Sequence, residues 1–156
     1  MGVHLCFFED HKVVRFYPLA LTRPLDQMRM GILTLAEKWE YILDIHHATR
    51  TIRPWLKDIF DADEPVPGED YIWINSRFVP HYKIAPEVAG LQTGQGLTCN
   101  GVPIVVRLDG DRTVREFKKL QQWVHGFEEH LANGDSAYPF QTISFDGVNY
   151  TESCNG

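Results

Sequence analysis

The chain is poor in the signatures of the commonest catalytic and metal chemistries. Its three cysteines, Cys6, Cys99 and Cys154, are an odd and widely spaced set with no CxxC pair, so neither a disulfide framework nor a zinc site is expected. That usage fits a reducing compartment. Neither a GxSxG elbow nor a GxxxxGK[ST] loop occurs, which leaves the serine-hydrolase and P-loop routes without support. Basic residues are outnumbered 15 to 21, for a net charge of -6. Broad nucleic-acid binding needs clustered Lys and Arg to displace counterions from phosphates, so it is not expected here. No stretch approaches the roughly 20 apolar residues that cross a bilayer. The opening MGVHLCFFED has no basic leader or small-residue cleavage site, and Cys6 stands where a myristoylation start carries Ser or Thr. The expectation is a soluble cytoplasmic protein without a membrane partner.

The 156 residues, 44% of them hydrophobic, are enough for one domain with a substantial core. Val3 to Phe8 is a continuous apolar run of strand length, and Lys12 to Tyr17 resumes in the same style. Pro18 and Pro24 lack amide donors and bound a loop. Thr34 and Glu37 fit a capping box, with Leu35, Trp39, Ile42 and Leu43 on one face behind them, so a helix is predicted over Thr34–Asp44. A short strand is predicted over Ala48–Ile52, and Pro54 can open a second short helix through Trp55, Leu56, Ile59 and Phe60. The acidic DADEPVPGED reads as a solvated surface loop, because its carboxylates have no regular ligand spacing.

Tyr71–Ile74 is fully apolar, the pattern of a strand buried on both faces. Gly94, Gly96 and Gly101 read as turns, and Val102–Leu108 as a further strand. Thr113 and Glu116 form a second capping-box pattern ahead of the longest helix, whose apolar face is Val114, Phe117, Leu120, Val124, Phe127 and Leu131, with Asn133-Gly134 as the stop. A last strand is predicted around Thr142–Phe145, followed by a turn at Asp146-Gly147. TESCNG reads as unstructured. Strands separated by helices indicate an α/β sheet, with residues 1–150 as the domain and 151–156 as a disordered tail.

His46-His47 are adjacent and His125 and His130 are five apart, so neither pair has metal spacing and both read as surface histidines. Cys6 lies in a buried strand, where a thiol is usually inert. The stretch around Arg23 differs. Arg23 follows a loop, Arg29 lies six residues on, and both precede a helix whose amino end carries positive potential. A guanidinium matches phosphate oxygens with a planar fork of donors, and Lys38 could share the charge from the first turns of the helix. Equally, the two arginines could pair with Asp26, Glu37 or carbonyls and tie the loop to the sheet. From spacing alone the second reading leads.

FFEDHKVVRFYPLALTRPLDQMRMGILTLAEKWEYIL resembles the amino-terminal segment of sugar nucleotidyltransferases related to the uridylyltransferase half of the GlmU type. The signature positions are Pro18, Leu19, Thr22, Arg23, Pro24, Arg29, Gly31, Thr34, Glu37, Lys38, Trp39 and Glu40. A second stretch, YIWINSRFVPHYKIAPEVAGLQTGQGL, resembles the strand and INGRxxP turn of that family through Asn75, Arg77 and Pro80. The resemblance implies a nucleotidyltransferase-like, Rossmann-like α/β fold, complete or an excerpt, with a mixed or mostly parallel sheet flanked by helices. Ligands are expected at the carboxyl ends of its strands.

The implied reaction has a sugar 1-phosphate oxygen attack the α-phosphate of a nucleoside triphosphate and expel pyrophosphate, with magnesium and basic side chains neutralising charge. Arg23 and Arg29 are the catalytic candidates. Thr22, Lys38, Asn75 and Arg77 are the substrate-binding candidates. Two features depart from better-known nucleotidyltransferases: no glycine-rich loop follows the first strand, and INSRF offers Asn75 and Ser76 where a metal aspartate is expected. The metal ligands are therefore not identified, and would have to come from Glu9, Asp10, Asp109 or Asp111. The alternative function is a non-catalytic domain that binds a sugar nucleotide, or one that supports an acyltransferase-type partner or a further carboxyl-terminal domain.

Overall fold

The computed structural model of the protein describes residues 2–10, 20, 22–53, 56–57, 59–60, 63–132 and 145–153, and at 125 and 127–132 the backbone alone. The elements in chain order are β1 (Val3–Phe8), β2 (Arg29–Met30), β3 (Leu33–Thr34), α1 (Leu35–Leu43), β4 (Ala48–Arg50) and β5 (Asp70–Asn75). They continue with α2 (Ile84–Ala89), β6 (Gln95–Cys99), β7 (Val102–Leu108), α3 (Gly110–Ala132) and β8 (Asn149–Glu152). A 3-10 turn spans Leu25–Gln27.

β1 and β5 are apolar without alternation because both of their faces are covered. Leu5, Phe7, Ile72 and Ile74 enter one core cluster with Leu35, Ala36 and Trp39 of α1 and Ile84 and Val88 of α2. Cys6, Phe8, Tyr71 and Trp73 enter the other with Phe117 and Leu120 of α3. The helices therefore cover both faces of one sheet. Its strand order is β4-β1-β5-β7-β6-β8. β1 pairs in parallel with β4 and β5, and β6 in parallel with β8, whereas β7 runs antiparallel to β5 and β6. This is the mixed α/β sheet expected. The chain passes from β1 outward to β4 and then back across to β5, which places the reversal of strand order beside β1.

α1 carries the predicted capping box in full: Thr34 Oγ1 accepts from Glu37 N at 3.1 Å, and Glu37 Oε1 accepts from Thr34 N at 2.9 Å. The bond from the Thr34 amide, then that from its side chain, holds the Glu37 carboxyl below the usual glutamate range. A depressed folded value stabilises the cap above the unfolded glutamate range, and the benefit is lost as pH falls through the folded value. Thr34→Ala is expected to cost about 1 kcal/mol, and in an NMR titration it should move Glu37 only part of the way back toward the ordinary glutamate midpoint, because the Thr34 amide remains. An unchanged midpoint would assign the shift to the amide bond alone.

α3 begins three residues ahead of the predicted Thr113 cap. Asp109 caps it instead, its Oδ1 accepting from Arg112 N at 2.8 Å. Thr113 Oγ1 accepts at 3.1 Å from Trp73 Nε1, so this hydroxyl serves the sheet-to-helix contact. Gly110 sits where a Cβ would come within 2.7 Å of Glu69 O and Gly68 N. The helix start and the loop before β5 meet backbone to backbone.

β6, α2, β8 and the β2–β3 hairpin are additions to the predicted elements. Gly96 lies inside β6, where a Cβ would meet the Tyr150 ring at 2.9 Å, so it permits a close approach within the strand. β8 runs through Glu152, two residues into the segment expected to be unstructured. Cys99 is disulfide-bonded, which corrects the expectation that the cysteines form no disulfide. The long sequence separations gave no spacing signal for it. Cys6 is free and fully buried, and burial pushes its thiol up. The predicted strand at Lys12–Tyr17, the opening of the Pro54 helix, the Asn133-Gly134 stop and Thr142–Ser144 of the last predicted strand lie outside the described residues. Among the described residues no helix is long and apolar enough to cross a membrane.

Candidate functional site

At the carboxyl ends of β4, β1 and β5 the apolar interior gives way to charge. β1 ends at Phe8 and is followed by Glu9 and Asp10, both nearly inaccessible to solvent. Each carboxylate is committed to a different arginine. Arg53, three residues beyond β4 and 2% exposed, donates from Nε to Glu9 Oε1 at 3.0 Å and from Nη2 to Glu9 Oε2 at 3.2 Å. Burial pushes the Glu9 carboxyl up, while Arg53 and the Leu25 amide pull it down. Asp10 Oδ2 accepts from Arg77 Nε at 2.8 Å and from Asn75 Nδ2 at 3.2 Å.

The Arg23 segment lies over this edge because the charged pairs reach it. Arg53 Nη1 donates to Ala20 O and Nη2 to Arg23 O, and Leu25 N donates to Glu9 Oε2 at 3.0 Å. A second moorage is Asp26, buried in the 3-10 turn, whose Oδ2 accepts from Arg50 Nε at 2.8 Å. Arg50 is the last residue of β4. The chain then turns through the β2–β3 hairpin, where Gly31 takes a φ of 88°, and Leu35 N closes the loop on Met28 O at 2.9 Å.

The expected site residues divide into three kinds within this frame. Arg23 and Thr22 are exposed at the loop. Among the described residues the Arg23 side chain makes no hydrogen bond or ion pair, so its fork of donors faces solvent. Arg29 is exposed in the hairpin and donates from Nη1 to Ile32 O at 2.9 Å, one of the tethers that spacing allowed. Lys38 is half-buried on α1. Asn75 is 1% exposed and spends its amide inside the protein, donating to Asp10 and to Pro103 O and accepting from Arg77 N. It shapes the turn after β5. Arg77 is held on Asp10 but retains partial exposure.

A family model described as sugar nucleotidyl transferase matches residues 5–150. The chain belongs to the sugar nucleotidyl transferase family. No curated protein sequence matches it at a significant level. For a sugar nucleotidyl transferase family domain, ligands at the carboxyl ends of parallel strands beside the reversal of strand order are the general rule for open α/β sheets. Arg23 and Arg77 stand on that edge, on either side of β1.

Magnesium, implied by the family, needs charged oxygens free to coordinate. Glu9 and Asp10 are each taken up by a guanidinium. Asp109 caps α3 and follows β7, which runs antiparallel to β5, so Asp109 and Asp111 lie at the opposite end of the sheet. Among the described residues no three His, Cys, Asp or Glu side chains gather to hold a metal. Among the described residues the carboxylates at this edge, each occupied by an arginine, do not fit a magnesium site.

Two cavities lie away from this edge. One of about 590 Å³, lined by His4, His46, His47, Thr49 and Tyr71, opens at the amino ends of β1, β4 and β5. Another of about 480 Å³ is apolar and sits between α1 and α2. Neither is lined by Arg23, Asn75 or Arg77. Sequence reasoning missed Arg50 and Arg53 because they stood near a strand end with no motif around them. The signal available was two arginines three apart at the end of a strand, in a chain whose first strand is followed by two acids.

Proposed function

We propose that this domain binds the phosphates of a nucleoside triphosphate and a sugar phosphate at the carboxyl edge of β4, β1 and β5. The reaction is transfer of the nucleotidyl group to the sugar phosphate with release of pyrophosphate. The observation that carries the reading is the exposed Arg23 side chain, unpaired among the described residues, on a loop whose backbone is anchored to the sheet by buried ion pairs. Arg23 takes a phosphate oxygen pair with its fork, Arg77 faces the second ligand from the other side of β1, and Thr22, Arg29 and Lys38 supply further donors. The density of the GlmU-type signature between Pro18 and Glu40 supports the same substrate classes.

A second reading is favoured by one observation: both acids at this edge, Glu9 and Asp10, are bound to arginine. In that reading the domain binds a sugar nucleotide without turning it over, alone or in support of an acyltransferase-type partner. Calorimetric titration with nucleoside triphosphates and sugar phosphates, with and without magnesium, combined with a pyrophosphate-release assay, separates the two. Turnover supports the transferase; tight nucleotide-sugar binding without pyrophosphate release supports the binding domain. Arg23→Ala is expected to weaken triphosphate binding by about 1.5–3 kcal/mol, the range of a hydrogen bond to a charged group. Unchanged affinity in a folded variant sinks the role of Arg23.

A further inference from the structure

The Arg53–Glu9 pair is buried at the sheet edge, yet the described bonds that extend beyond the pair go to loop backbone. Arg53 donates to the carbonyls of Ala20 and Arg23, and Glu9 accepts from the amide of Leu25. One planar group and its counterion thus hold three points within six residues, on both sides of Arg23. Lysine cannot reproduce the arrangement, since an ammonium is a point charge without the fixed fork that spans a carboxylate and two carbonyls.

We infer that Arg53 is the positioning residue of the ligand loop: locked on Glu9, it fixes the backbone at Ala20 and Arg23 and so sets where the Arg23 side chain stands. The inference rests on the phosphate-binding reading of Arg23 given above. Arg53 is 2% exposed, so it acts through the carbonyl of Arg23 rather than by meeting a phosphate itself. Loss of Arg53 frees the backbone on which Arg23 stands, so its effect is readable in binding even where the fold survives.

The test uses the full chain with Arg53→Lys, Arg23→Ala and the double variant, and inorganic pyrophosphate as probe. Amide exchange at Leu25 is expected to accelerate about 10-fold or more in Arg53→Lys while Ile72 and Val105 in the central strands keep their protection. Pyrophosphate affinity is expected to fall about 10-fold, and Arg53→Lys should add little once Arg23→Ala is present, because the two act as one unit. Additive effects, or unchanged affinity or unchanged Leu25 exchange in Arg53→Lys, overturn the inference. If the wild-type chain binds no pyrophosphate, the phosphate-binding reading falls by itself, and Leu25 exchange decides whether Arg53 holds the loop. Should Arg53→Lys fail to fold, Arg53→Met combined with Glu9→Gln, which leaves no unpaired buried charge, carries the pyrophosphate readout, and unchanged affinity there overturns the inference.

Discussion

Glu9→Ala is expected to lower the unfolding free energy by about 3–5 kcal/mol, because it strands the Arg53 guanidinium in the interior without its counterion. Arg53 is 2% exposed, so water cannot replace the carboxylate without opening the loop over it. The same substitution removes the acceptor for Leu25 N. Urea denaturation reads the loss directly as a lower midpoint at an unchanged slope. The companion variant Glu9→Ala with Arg53→Met should recover part of the loss, since an apolar replacement of a whole buried pair is often close to neutral. A loss below about 1 kcal/mol in the single variant would place the pair among ordinary surface bridges.

Trp73→Ala is expected to cost about 3–5 kcal/mol, the range for deleting a large buried aromatic side chain. Trp73 is fully buried in β5, with ring centroids 5.2 Å from Phe145 and 6.1 Å from Phe8. Its Nε1 also donates to Thr113 Oγ1, so the alanine variant leaves a buried hydroxyl without its donor. Trp73→Phe keeps most of the apolar volume and should lose appreciably less. Equal losses in the two variants would assign the effect to the indole hydrogen bond rather than to packing.

Much of the architecture was readable from local chemistry. The apolar runs at Val3–Phe8 and Tyr71–Ile74 mark the central strands, and the Thr34 and Glu37 pair marks the start of α1. β6 was hidden by its glycines. Gly94 and Gly101 do turn, with φ of 88° and 75°, yet Gly96 between them lies in the strand. The Asn100-Gly101 pair, with φ of 52° and 75° between paired Cys99 and Val102, is the two-residue hairpin turn that should have revealed both flanking strands. The start of α3 went astray because Asp109 and Thr113 are both capping residue types, and which one caps depends on where Trp73 stands.

The site was readable as a neighbourhood rather than as a set of roles. The resemblance pointed to Arg23, Asn75 and Arg77, and the structure brings their backbones to one edge of the sheet. That Asn75 is consumed by Asp10 and Pro103, and that Arg53 reaches across to Arg23, depends on pairings 28 to 65 residues apart in the chain. Such pairings have no local periodicity. Only the topology brings them together.

The contact at Gly110 bears on how chain length could vary here. Its backbone lies against Val66 O, Gly68 N and Glu69 O, so closely that a methyl group would stand within 2.9 Å of all three. Inserted residues within 66–69 would push α3 away from the sheet and pull Thr113 off Trp73. Extra length in the connection from β4 to β5 therefore belongs ahead of Val66, around the exposed Asp63 and Glu64, where the loop can grow without moving the helix.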